Sequence, residues 1–166
     1  MKKYRNEKSF AVMANKMFAF DTKYWCNNDE KLVFLELQFM QNIGDLQGEG
    51  LAKFTETIPA ILASNLGWDT PTKPARGRQR VVDALNSLKQ KDYIMFKDEI
   101  NYNDMLPTAI VITDTDYETP IAVDVEWADA KLNFKVITRL TATEYSELKE
   151  GKYDLTLYAY TNWREN

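Results

Sequence analysis

The chain has 166 residues, 45% of them hydrophobic and 28% charged, and a net charge of −4, a composition typical of one globular domain or of one small domain with an addition. No apolar stretch approaches the ~20 residues of a membrane-spanning helix, and the basic N-terminus does not lead into the apolar segment of a signal peptide, so we expect no membrane contact and a cytoplasmic location. With no histidine and one cysteine, Cys26, the chain lacks Ser-His and Cys-His nucleophiles, a His-bearing metal site and an internal disulfide, and we expect neither an enzyme nor a cofactor.

The N-terminal part is predicted to lead into a first helix. Residues 10–24 mix apolar and polar positions without a clean period, which predicts an irregular or short helical segment. Asn28 can cap a helix, and the two acids that follow it favour the positive end of a helix dipole. Apolar residues then recur every three or four positions, which predicts a helix over 28–43 that Gly44 ends before a loop over 44–50.

A second helix is predicted shortly after this loop. Thr57 is its expected N-cap, Pro59 fits its first turn, and Gly67 ends it. One face of the helix is apolar and consists of Ile58, Ile61, Leu62 and Leu66. The following segment, 68–77, is rich in proline and glycine, which predicts a turn.

The third helix is predicted to begin at Thr72 or Gly77 and to end at Lys91. Its apolar face repeats at helical spacing and consists of Val81, Ala84, Leu85 and Leu88. Its N-terminal end holds four cations within eight residues that include no acid, namely Lys73, Arg76, Arg78 and Arg80. The planar fork of arginine can bind a phosphate or a guanine edge with two hydrogen bonds, and the free N–H groups of a helix start also favour phosphate. We therefore predict that these four residues contact DNA; the alternative is that this basic face is simply solvated.

A wing is predicted after the third helix. Residues 93–97 have the composition of a strand, which we expect to pair with about 108–113. Lys97 would then lie near the tip of the wing and add to the DNA-binding residues. Trp68 and Tyr102 lie near the same predicted face, and their rings are candidates for stacking on bases.

The order of these elements resembles the winged helix-turn-helix domain of replication-initiator and related proteins of Gram-positive plasmids and phages. The resemblance covers residues 29–96: segment 30–35 matches the first helix, 58–67 the second, and 80–94 the third helix and the start of the wing. It implies an α+β chain with a winged-helix domain and its lead-in over 1–107. It also implies binding of double-stranded DNA in replication or transcription control of a plasmid, phage or other mobile element.

Two further expectations follow from the resemblance. A homodimer is the usual form, because a single winged helix reads few base pairs. The turn over 68–77 departs from the pattern, since it is longer and richer in proline and glycine than the tight turn of most such domains.

The C-terminal part, 108–166, is predicted to be an antiparallel, strand-rich elaboration with a short helix. Strands are predicted over 121–127 and 132–138, with a turn between them at Asp129-Ala130. Thr141 and Glu144 have the spacing of a capping box, which predicts a short helix from Thr141 to about Glu150 that Gly151 stops. The last segment, 155–163, keeps a helical face and is interpreted as a helix.

Acidic residues are concentrated between positions 114 and 129, where there is no Lys or Arg until Lys131. The residues predicted to form an acidic interaction surface are Asp114, Asp116, Glu118, Asp124 and Glu126. Acids two apart on a strand lie on one face, where they can bind Mg²⁺, mimic a phosphate backbone, or simply be solvated at a sheet edge. The alternative function is therefore a small phage or mobile-element inhibitor, of anti-CRISPR or anti-restriction type, that binds a nucleic-acid enzyme as its protein partner through this surface.

Overall fold

The computed structural model describes residues 10–20, 22–45, 51–113, 122–125, 130–133, 137–152 and 154–158. Over these residues the chain is a mixed α+β protein, which confirms the predicted fold class at this level. The helices are α1 (Asn28–Phe39), α2 (Pro59–Leu66), α3 (Pro74–Gln90) and α4 (Ala142–Lys149), with a 3₁₀ helix at Asn15–Phe18. Residues 155–158 are also helical, as predicted for the last segment.

The strands of the described residues pair antiparallel throughout. They are β1 (Phe10–Ala14), β2 (Asn42–Asp45), β3 (Leu51–Thr57), β4 (Ile94–Met95), β5 (Thr108–Ile112), β6 (Ala122–Val125), β7 (Ala130–Asn133) and β8 (Ile137–Thr141). One sheet has the order β2-β3-β5-β4, and the other strands form the pairs β1-β8 and β6-β7.

The central part of the chain contains α1, β2, β3, α2, α3, β4 and β5 in this order, and β5 lies between β3 and β4 in the sheet. Ile94 lies opposite Ile112 and Met95 opposite Val111, so the predicted pairing of 93–97 with 108–113 is confirmed, although β4 is shorter than expected. The loop that joins β4 to β5 spans residues 96–107.

The core lies where α1, α2 and α3 meet the sheet. Leu35, Leu62 and Leu88 are fully buried there, together with Ile110 of β5. The apolar face predicted for α3 is confirmed, because all of its members are buried: Val81, Ala84, Leu85 and Leu88. Each fully buried leucine contributes about 1.5–3 kcal/mol relative to an exposed one, so this face fixes how α3 docks.

The start and end of α1 differ from the prediction. The N-cap is Asn27, one residue earlier than expected, and its Oδ1 accepts a hydrogen bond from the backbone N–H of Glu30 at 2.8 Å. The helix ends at Phe39 rather than at residue 43, because residues 42–45 pair with β3 as β2. Gly44 therefore lies in a strand, and residues 46–50 of the predicted loop lie outside the described residues.

The N-terminal segment also differs from the prediction. Residues 10–14 form β1, which pairs with β8 from Phe10↔Thr141 to Ala14↔Ile137. Ala11, Met13 and Ala14 are all buried, so polar and apolar residues do not alternate along this strand. Its partner is more than a hundred residues away, so no nearby turn signal reveals the pairing either. The short helical segment expected in this region is present as the 3₁₀ helix.

The beginning of α2 is capped differently from the prediction. Thr57 is the last residue of β3, where it pairs with Thr108, and Ile58 is the N-cap without a side-chain hydrogen bond. Pro59 in the first turn and Gly67 at the end are confirmed, and Gly67 has the positive φ of 74° that favours glycine.

The C-terminal strands confirm one prediction and correct another. β6 and β7 pair antiparallel as expected, but Ala130, which the sequence predicts to lie in the turn, is the first residue of β7 and lies opposite Val125. The predicted strand 132–138 is divided between β7 and β8. The strand is divided because residues 137–141 pair with β1, whereas residues 130–133 pair with β6.

The helix that follows β8 matches its prediction. Its capping box is present: Thr141 Oγ1 accepts from the backbone N–H of Glu144 at 3.1 Å, and Glu144 Oε1 accepts from that of Thr141 at 3.1 Å. Gly151, with a φ of 78°, follows its end. α4 packs on α1, where Tyr145 stacks on Phe39 with ring centroids 5.1 Å apart and donates a hydrogen bond to the carbonyl of Leu32.

Candidate nucleic-acid interface

The outward face of α3 is polar from Arg76 onward. The exposed side chains of this part of the helix are Arg76, Gln79, Arg80, Asp83, Asn86 and Gln90. Gln79 Nε2 donates to Asp83 Oδ1 at 2.9 Å, which orients the Gln79 amide along the helix. Because the opposite face is in the core, the helix can present this row only to solvent or to a ligand.

The predicted basic cluster is divided between the surface and the interior. Lys73, the N-cap residue of α3, and Arg76 in its first turn are both exposed. Arg78 is half-buried, and its Nε atom is buried without a hydrogen-bond partner among the described residues. Lys73 and Arg76 are thus the exposed cations at the very start of the helix. Pro74 in the first turn has no N–H, and the N–H of Arg76 donates to the carbonyl of Lys73 at 3.2 Å.

Arg80 joins three parts of the chain. Its Nε and Nη2 atoms donate to the two carboxylate oxygens of Asp29, each at 2.7 Å, and its guanidinium lies 3.9 Å from the ring centroid of Trp68. The hydrogen bonds that Arg80 donates to Asp29 raise the pKa of Arg80 above its ordinary value and outweigh the opposing effect of partial burial. We call the arrangement of Asp29, Trp68 and Arg80 the Arg80 clamp; it connects α3 to the first turn of α1 and to the α2–α3 turn.

Gly77 lies beside the clamp, in the buried face of α3. A Cβ atom at this position would be 2.2 Å from the backbone oxygen of Trp68 and 2.8 Å from its carbonyl carbon. The turn between α2 and α3 therefore lies directly against the helix backbone. The proline- and glycine-rich turn, although long, is packed at its start.

A second cation connects α3 with α1. Lys91 Nζ donates to Glu30 Oε2 at 2.7 Å and to the backbone oxygen of Trp25 at 2.7 Å. Glu30 follows Asp29 in the chain, so the first turn of α1 holds one cation within α3, Arg80, and one at its C-cap, Lys91. These contacts fix the orientation of α3 against the rest of the core.

The β4–β5 loop brings an aromatic ring to the outward face of α3. Tyr102 is 42% exposed and lines a groove with five α3 residues, which are Ala75, Arg76, Gln79, Arg80 and Asp83. Phe96 and Ile100 are buried and anchor the loop, and Lys97 is exposed near its beginning. Of the two aromatic candidates, Tyr102 is open to solvent, whereas one face of Trp68 is covered by Arg80.

The predicted acidic surface lies almost wholly outside the described residues. Asp114, Asp116, Glu118 and Glu126 belong to the undescribed part, and Asp124 is described only as a position in β6, opposite Lys131. The acidic surface and its protein partner therefore stay predictions. Among the described residues there is no cluster of three or more Cys, Asp or Glu side chains that could hold a metal ion.

Cys26 is fully buried, as expected for a packed thiol. Burial, followed by the nearby Glu30 carboxylate, raises the pKa of this thiol far above its ordinary value. It therefore stays protonated at neutral pH, a state in which thiols are poor nucleophiles.

Neither the clamp nor the steric role of Gly77 is visible in the sequence. The position of Asp29 indicates only a favourable interaction with the helix dipole, because the residue that it binds lies 51 positions further on. The sequence feature that comes closest to indicating the packed turn is the glycine in the arginine-rich start of the helix. A glycine inside a helix destabilises it by about 1 kcal/mol relative to alanine, so its presence there suggests that a neighbouring segment leaves no room for a side chain.

A search against protein-family models, curated proteins and solved structures found no match to this chain. In the described part of the chain, no helix has the length and hydrophobicity required to cross a bilayer.

Proposed function

We propose that residues 28–112 form a winged helix-turn-helix and that the chain binds double-stranded DNA through the outward face of α3. The support for the fold is its connectivity: a helix, two strands, two helices and a hairpin, with the strand order β2-β3-β5-β4. The three helices and the hairpin after the third are the elements expected of the family that residues 29–96 resemble, whereas β2 and β3 are not part of that expectation. In helix-turn-helix proteins the second helix of the pair, here α3, lies in the major groove, and the first, here α2, braces it.

The observation that carries the proposal is the chemistry of the exposed row on α3. Arg76 and Gln79 are exposed one turn apart near the helix start, and Asn86 continues the row. Arginine can donate two hydrogen bonds to the O6 and N7 atoms of guanine, and glutamine or asparagine can bind the N6 and N7 atoms of adenine. No exposed apolar residue lies between these side chains on α3. The face is therefore suited to hydrogen bonding with base edges rather than to apolar packing against another protein.

The charge distribution favours local rather than overall attraction to DNA. The whole chain has a net charge of −4, so it does not attract a polyanion as a whole. Lys73 and Arg76 form a positive patch at one end of the helix. Neutralising two or three phosphates there would give a salt dependence with a slope of about −2 to −3 in a plot of log K against log salt concentration.

The role that we propose for this binding is replication or transcription control in a plasmid, phage or other mobile element, with two copies of the chain on one site. This role rests on the family resemblance. Two copies would double the number of base pairs that are read, which a single module needs for a specific site.

The test is fluorescence-anisotropy binding to mixed-sequence duplex DNA at two salt concentrations. We expect the wild type to bind and to weaken steeply with salt, and Arg76→Ala to bind at least about fivefold more weakly with a slope reduced by about one. Lys152→Ala is the matched control, because it removes a cation that is 59% exposed and lies after α4, away from the groove. No binding by the wild type at low salt, or equal losses in the two variants, would rule out the proposal.

A further inference from the structure

The proposed DNA contacts depend on how α3 is held at its N-terminal end. Lys73, the N-cap residue, makes no side-chain hydrogen bond to the helix, and residues 69–73 of the preceding turn are exposed. The end of the helix that carries Arg76 and Gln79 is therefore not fixed by a cap. Besides the hydrogen bond that the Lys73 N–H donates to Thr70 Oγ1 at 3.2 Å, the contacts that fix it are those around Trp68, Gly77 and Arg80.

We propose that Arg80 is a positioning residue: through the clamp with Asp29 and Trp68 it sets the orientation in which α3 presents Arg76 and Gln79 to DNA, and it does not itself contact phosphate. The inference rests on the proposed function. It separates Arg80 from the other cations of the basic cluster, with which the sequence alone groups it.

The geometry of the guanidinium carries this step. Two of its five N–H donors are held by Asp29 at 2.7 Å each, a length typical of strong, charge-assisted bidentate pairs. One face of its plane lies over the Trp68 ring. Three donors remain on this side chain, which is 45% exposed, but a phosphate that approached them would lie beside the carboxylate of Asp29, which is 32% exposed.

The position of Arg80 explains how replacing this residue would change the positions of the proposed DNA-binding side chains. Arg80 lines the same groove as Arg76, Gln79 and Tyr102. The residue that it stacks on, Trp68, has its backbone oxygen against Gly77, one residue after Arg76. Releasing the clamp therefore loosens the turn and the first turns of α3 together.

Positioning and simple electrostatics predict opposite effects for one substitution. Asp29→Asn removes a negative charge close to the proposed DNA site, so charge alone predicts tighter binding. If the clamp positions α3, the same substitution weakens binding, because asparagine cannot accept the bidentate pair of a guanidinium with both oxygens. Asp69→Asn is the matched control, since it removes an exposed acid from the adjacent turn and leaves the clamp intact.

The experiment measures duplex DNA binding by the full chain at a temperature at which circular dichroism shows every variant to be fully folded. We expect Asp29→Asn to bind roughly fivefold or more weakly, within the range found for coupled contacting residues, and Asp69→Asn to bind as tightly as the wild type or more tightly. A contact that only stabilised the fold would lower the melting temperature and leave the affinity of the folded protein unchanged.

A second readout separates positioning from phosphate contact. Arg80→Gln should weaken binding while keeping the wild-type salt slope, whereas Arg76→Ala should reduce the slope by about one. Adding Asp29→Asn to Arg80→Gln should cause little further loss, because both substitutions break the same contact.

The outcomes distinguish this inference from the proposed function. If the wild type binds DNA and Asp29→Asn binds equally well or more tightly, or if Arg80→Gln reduces the salt slope as Arg76→Ala does, the positioning role is wrong and DNA binding stands. If the wild type does not bind DNA at low salt, both are wrong.

Discussion

Replacing Gly77 with alanine tests the packing of the α2–α3 turn against α3. Helix propensity alone predicts that Gly77→Ala stabilises the protein, by about 1 kcal/mol. The added Cβ, however, would lie 2.2 Å from the backbone oxygen of Trp68, about 1 Å closer than such atoms approach in proteins. Because the obstacle is backbone rather than a side chain that can rotate, the turn itself has to move.

The magnitude follows from these two opposing effects. Overpacking in a core costs about 1–3 kcal/mol when neighbours can adjust, and a backbone obstacle belongs at the upper end or beyond. Subtracting the gain in propensity, we expect Gly77→Ala to lower the free energy of unfolding by about 2 kcal/mol. With a urea dependence of about 2 kcal/mol/M, the unfolding midpoint moves down by about 1 M urea.

Urea unfolding followed by circular dichroism measures this change. Asn86→Ala is the control, because Asn86 is an exposed position of the same helix and its replacement should raise stability by a few tenths of a kcal/mol. The reasoning would be refuted if Gly77→Ala were as stable as the wild type or more stable, since the turn would then not lie against the helix as described.

Two predictions concern the capping box of α4. Thr141→Ala removes the acceptor for the backbone N–H of Glu144 and should cost about 1 kcal/mol in urea unfolding, whereas Thr143→Ala, next to it, should cost less. Burial raises the pKa of Glu144, but hydrogen bonds donated by Tyr158 and Thr141 outweigh this effect and lower the pKa below its ordinary value of 4.5. The ionised Glu144 should therefore stabilise the fold fully above pH 4.5, and this stabilisation should disappear as the pH falls through the lowered pKa. The difference in melting temperature between wild type and Glu144→Gln should accordingly vanish in acid; a constant difference would contradict the shift.

Local patterns predict the elements that are stabilised by near neighbours. The apolar repeat of α3 and the capping box of α4 each lie within a few turns of one helix, and both are present. The hairpin of β4 and β5 also follows from short-range composition. In each case the residues that make the contact are close enough in the chain to form a recognisable spacing.

The elements that local patterns miss have distant partners. β1 pairs with β8, and nothing in residues 10–24 reveals that partner. Ile43 continues the helical spacing of α1, yet it belongs to β2 because residues 42–45 pair with β3. Pairing across the sheet thus overrides the helical period at the end of α1.

The candidate site divides in the same way. The clustering of Lys73, Arg76, Arg78 and Arg80 is visible in the sequence because these residues are neighbours. Which of them extend into solvent depends on contacts across the fold, such as the pair between Arg80 and Asp29, 51 residues apart. The sequence therefore locates the basic cluster but does not distinguish a side chain that is available to a ligand from one that holds the helix.

The pairing of β1 with β8 determines where the chain can be divided. A fragment that ends after β5 would keep all the helices of the proposed DNA-binding unit but leave β1 with a bare edge of unpaired N–H and C=O groups, the kind of edge that promotes aggregation. The same pairing joins residues 10–14 to residues 137–141, so it closes late in synthesis, after α1, α2 and α3 have had time to assemble. The strand pair is thus formed by the two segments that flank residues 28–112.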